Sequence, residues 1–64
     1  MDYEAIKSTI EFAHDGHFVS RLNCGKSAQE AASEARSFAL GMAKAFELAG
    51  LLSDEEVSKI MRGI

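Results

Sequence analysis

Apolar residues recur along this chain at steps of three and four, the mark of helices that bury one side. Between Asp2 and about Leu22, Tyr3, Ile6, Ile10, Ala13 and His17 fall on one such stripe. A second set, Ala5, Phe12 and Val19, repeats at heptad spacing and lies more than about 100° away around the axis. Helix 1 (2–22) is therefore expected to be apolar on two sides. Asp15-Gly16 weakens it, since a glycine inside a helix costs about 1 kcal/mol relative to alanine and Asp-Gly is also a turn signal. A continuous or kinked helix is expected, with a break at 15–16 as the alternative, because Phe18, Val19 and Leu22 keep helical spacing.

Asn23-Cys24-Gly25-Lys26 reads as a turn, because Asn and Gly tolerate the left-handed backbone that ends helices. Ser27 with Glu30 then forms a capping box that starts helix 2 (28–49). Its expected core stripe is Ala28, Ala31, Ala35, Phe38, Met42, Ala45 and Ala49, flanked by Ala32, Ala39 and Phe46. Those positions span roughly 160° of the helix surface, whereas one neighbour needs only about 100°. Gly50 stops the helix, and Ser53 with Glu56 makes a second capping box for a short helix 3 (54–62). Val57, Ile60, Met61 and Ile64 give that helix one apolar side.

The expected fold is all-α: an antiparallel αα-hairpin plus a short C-terminal helix, in a single small domain covering 1–64. Helices 1 and 2 are each roughly 30 to 35 Å long at about 1.5 Å per residue. A short third helix covers only one end of them, so apolar surface is left over. A second hairpin would cover it, and the pattern predicts a homodimeric four-helix-type bundle. The residues expected at the shared core and dimer interface are Tyr3, Ile6, Ile10, Ala13, Ala28, Ala31, Ala35, Phe38, Met42, Ala45, Phe46 and Ala49.

Composition sharpens this picture. With 64 residues the chain builds one core at most, and a domain so short buries only roughly 60 % of its unfolded surface. Cys24 is the single cysteine, which removes disulfides as a staple and suggests a reducing compartment. No long apolar run and no charged leader is evident, so a cytoplasmic setting without membrane contact is expected. The formal net charge of -3 repels a phosphate backbone, and nucleic acid is not an expected partner.

Chemistry-bearing candidates are few. Glu11-x-x-His14, with Asp15 and His17, has the spacing that carboxylate-bridged di-iron bundles use, and a dimer would double it. Helix 2 lacks the complementary inward glutamates, so no metal or other cofactor is expected, and Glu11, His14 and His17 stay weak candidates. Cys24 beside Lys26 has no acid-base partner in the sequence, and no catalytic residue is assigned. The segment from Gly50 to Ile60 resembles the turn and second helix of helix-turn-helix repressors, which implies a DNA-binding regulator. Its turn is one residue too long for that, and Asp54, Glu55 and Glu56 would face phosphates and base edges.

The expectation that remains is a small protein-protein interaction module without catalytic activity: an adaptor, inhibitor or regulatory protein, of accessory or phage type. Its partners would be a second copy of itself and an unidentified larger protein. Phe12, Val19, Leu40 and Leu48 are the candidate contacts for that protein. A DNA-binding regulator, or a metal-binding bundle through Glu11, His14 and His17, are the alternatives.

Overall fold

Each helix begins where a side chain can accept a hydrogen bond from the first turn. In the computed structural model, which describes residues 2–64, Asp2 accepts from the Ala5 N–H at 2.8 Å and opens α1 (Tyr3–Asn23). Ser27 opens α2 (Ala28–Leu48) with a reciprocal box, its hydroxyl accepting from the Glu30 N–H at 3.1 Å while the Glu30 carboxylate accepts from the Ser27 N–H at 3.1 Å. Ser53 and Glu56 repeat the arrangement at 3.1 and 2.8 Å and open α3 (Asp54–Arg62). The Ser27 backbone hydrogen bond, reinforced by the Ser27 hydroxyl and by Lys26, holds the exposed Glu30 carboxyl below the usual glutamate range. A depressed folded pKa means this contribution is present above the unfolded-state value and is lost as the pH falls through the folded one.

The two long helices also end alike. Gly25 and Gly50 adopt φ of 87° and 80°, and the next residue reaches back across the turn: Lys26 N–H to Arg21 at 3.1 Å, Leu51 N–H to Phe46 at 2.9 Å. Only glycine takes that backbone without strain, so both helices stop where the sequence places one.

Gly16 plays no such part. Helix α1 runs through it without interruption, and nothing lies within 4 Å of where its Cβ would sit. The continuous form expected from the spacing of Phe18, Val19 and Leu22 is therefore the one adopted. Gly16→Ala should raise stability by about 0.5 to 1 kcal/mol, read as a melting midpoint higher by several degrees in circular dichroism. A lower midpoint would mean that the glycine serves a contact outside this fold.

The hairpin of α1 and α2 is antiparallel, with α3 folded back on α2 at the hairpin's open end. The core is built where all three helices meet. Ile6 and Ile10 of α1, Ala39 and Ala43 of α2, Leu52 of the connection, and Val57, Ile60 and Met61 of α3 are buried there, with Tyr3, Met42, Phe46 and Ile64 packed around them. Arg36 ties α3 down from above, donating from Nη1 at 2.9 Å to the Met61 carbonyl, which the Ile64 N–H also reaches at 3.3 Å in the last turn of that helix.

The expected core stripe of α2 is displaced. The residues that face α1 are Ala31, Ala35, Ala39 and Ala43, all wholly buried, whereas Ala28, Phe38, Ala45 and Ala49 of the predicted stripe are exposed. Contact runs along the every-fourth-residue ridge, and the small side chains let the helices approach closely. Phe38, Ala45 and Ala49 are turned to one flank. The total accessible area, 4082 Å², is close to the roughly 4,000 Å² of any compact monomer of this mass. What distinguishes the molecule is which side chains make up that surface.

Candidate interaction surface

Sorted by position, the exposed large apolar residues all belong to the hairpin and its turn into α3. Phe12 is 82 % and Leu48 90 % exposed; Val19, Leu22, Phe38, Leu40 and Leu51 are exposed to lesser degrees. The four sequence-predicted partner contacts, Phe12, Val19, Leu40 and Leu48, are thus all in water. They do not form one patch. Phe12 and Val19 lie on the outer side of α1, a little under two turns apart, while Leu40 and Leu48 lie on the outer side of α2 about two turns apart.

A second group was legible only in part. Met42, Ala45, Phe46, Ala49 and Leu51 line an open groove of about 290 Å³ at the C-terminal end of α2. Leu51, which the sequence reading left out, is held there by the glycine turn at Gly50, whose reach-back bond from Leu51 to Phe46 sets the two side by side. Further along the same flank the His17 ring stacks on Phe38, with centroids 4.6 Å apart and planes 10° from parallel.

On the other flank, a wider groove of about 630 Å³ continues beyond the end of α3, lined by His14, Phe18, Ala32, Arg36 and Ile64 among others. Here His14 Nδ1 lies 3.0 Å from an Asp15 carboxylate oxygen. Of the three weak metal candidates, Glu11 and His14 border a common recess, but His17 is engaged with Phe38. Among the described residues no three His, Cys, Asp or Glu side chains are gathered as a metal ion requires.

Polar contacts elsewhere are those of a solvated surface. Glu34 receives Arg21 at 3.8 Å and Lys26 at 3.6 Å across the hairpin turn, and Lys44 reaches Glu47 at 3.3 Å and Asp54 at 3.7 Å. Exposed pairs of this kind contribute at most about 1 kcal/mol each. Cys24 is exposed, with Arg21 Nη2 donating to its sulfur at 3.4 Å. Arg21 Nε is buried without a partner, and nothing in the structure accounts for it. In α3 the exposed side mixes acids and bases, Asp54 and Glu55 at its start with Lys59 and Arg62 at its end, and Lys59 sits 5.7 Å from the centre of the Tyr3 ring. Among the described residues no helix is long and apolar enough to cross a membrane.

No protein-family model, curated protein or solved structure matches the chain.

Proposed function

We propose that this chain is a protein-protein interaction module that works as a homodimer and presents its remaining apolar residues and carboxylates to a larger protein, as an adaptor, inhibitor or regulatory subunit without catalysis of its own. The observation that carries this reading is the exposure of Phe12 and Leu48. Burying such side chains is worth about 1.5 to 3 kcal/mol each, and this fold forgoes it while the residues α2 buries are all alanines. The exposed thiol of Cys24 fits a reducing, cytoplasmic setting.

Sedimentation equilibrium tests the first half of the proposal: a mass of twice the 6.9 kDa chain is expected at micromolar concentration. For the second half, Phe12→Ser and Leu48→Ser should leave helicity and self-association intact while abolishing retention of the cellular partner on immobilised protein. A partner held equally well by wild type and by both variants would rule out these contacts.

A further inference from the structure

The position of α3 divides the hairpin into two unlike faces. Arg36 bonds the end of α3, and Ile64 follows it into the groove with His14 and Phe18, so that side of the α1–α2 seam is taken. On the opposite side none of the described residues covers the seam. We propose that a second copy of this chain seats there, with the two α2 helices crossing antiparallel about a two-fold axis near Met42; this rests on the homodimer reading and specifies its interface.

Charge is the first argument. At 3.6 residues per turn, Glu4, Lys7, Glu11, Asp15 and Arg21 of α1 all fall within an arc of roughly 120° on the α3 side and the back. Beyond Ala35, the charged residues of α2 are Arg36, Lys44 and Glu47, within roughly 80° and also turned away from the open face. The face left between them carries Thr9, Ala13, His17, Phe38, Met42 and Ala45; Glu34, one turn before Phe38, shares it at the turn end and is met there by Arg21 and Lys26. A face whose one carboxylate is already paired within its own chain suits a second copy: two chains of net charge -3 meet there without opposing unpaired like charges. A lipid surface would call for a rim of lysine or arginine, and the nearest charged cluster, around Glu34 at the turn, is mixed in sign.

Shape agrees with this occupant, and size bounds it. The molecule measures 36 by 18 Å across, an outline of about 650 Å², so a second copy laid along it covers at most that, a small interface beside the roughly 800 Å² per partner of a standard one. Ala13 and Ala45 permit the short interhelical spacing of about 8 Å. The two-fold near Met42 brings the half-exposed ring of Phe38 opposite residues 46–48 of the other copy, into the apolar groove bordered by Ala45, Phe46 and Leu51. Each copy thereby supplies both the inserted ring and the groove, as an isologous contact requires.

Ala45→Glu tests the assignment, since Ala45 is exposed in the single chain and glutamate is a good helix former. The variant should keep its helicity and sediment as one chain, while Phe12→Glu still sediments as two. In a Cys24→Ser background, Met42→Cys should oxidise rapidly to a disulfide-linked dimer, because residues beside a two-fold axis meet their own copies, and Phe12→Cys should not. A wild-type chain that sediments singly, including one that instead floats with phosphatidylcholine vesicles, overturns both this inference and the homodimer reading. A wild-type dimer that survives Ala45→Glu, or that Phe12→Glu splits, overturns only the assigned face.

Discussion

Replacing Ile60 with alanine is expected to lower the melting midpoint by at least about 10 °C and to release α3 from the hairpin. Ile60 is wholly buried in the cluster that holds Ile6 and Ile10 of α1 and Ala39 and Ala43 of α2, and no other described residue of α3 is as fully enclosed. Truncating a buried isoleucine costs roughly 2 to 5 kcal/mol, and a chain of this size has only about 3 to 10 kcal/mol in hand. Each kcal/mol moves the midpoint of so small a domain by roughly 4 to 8 °C. The loss is not confined to one cavity. Helix α3 has nine residues, too few to stay helical alone, so weakening its anchor also frees Leu52, Val57 and Met61 and bares the isoleucines of α1. Thermal melts by circular dichroism, with hydrogen exchange of the α3 amides, would check both effects. An unchanged midpoint with protected α3 amides would show that the three-helix junction is not what holds the chain together.

That junction also marks the limit of what the sequence made legible. Helix starts were plain, because Ser27 with Glu30 and Ser53 with Glu56 are local signals that depend on four consecutive residues, and each formed as its spacing predicted. The glycine stops at Gly25 and Gly50 were plain for the same reason. The side of α2 that meets α1 was not. Ala28, Ala31, Ala32, Ala35, Ala39, Ala43, Ala45 and Ala49 encircle much of that helix, and an alanine carries the same small side chain whether it is buried in a seam or left in water. Periodicity alone does not choose among such positions; the choice falls to the larger residues of the neighbours. Ile6 and Ile10 fill the space over Ala39 and Ala43, and α3 docks beside Arg36, which turns Phe38 outward against His17. Ala43 thus joined the core unannounced, while Phe38, read as core in the sequence, is left half in water on the face that α3 does not cover.

The alanine seam itself predicts the second large effect. Ala39→Leu should destabilise the chain by about 3 kcal/mol or somewhat less, whereas Ala32→Leu, at an exposed position on the same helix, should fall within about 0.5 kcal/mol of wild type. Ala39 is wholly buried within the main core cluster and lines none of the three grooves described above, so the added carbons find no void there. They are accommodated only if α1 and α2 move apart from the short end of the helix-packing range, near 8 Å, toward 9 or 10 Å. Separation is felt along the whole hairpin. The close alanine contacts at Ala31, Ala35 and Ala43 open with it, and so does the His17–Phe38 stack, which needs both helices at their present spacing. Loss of the stack gives a local readout, since the His17 ring protons are shifted by the Phe38 ring and would return toward solvent values in the variant. An Ala39→Leu chain that melts with the wild type and keeps those shifts would mean that the helices do not sit as close as four buried alanines require.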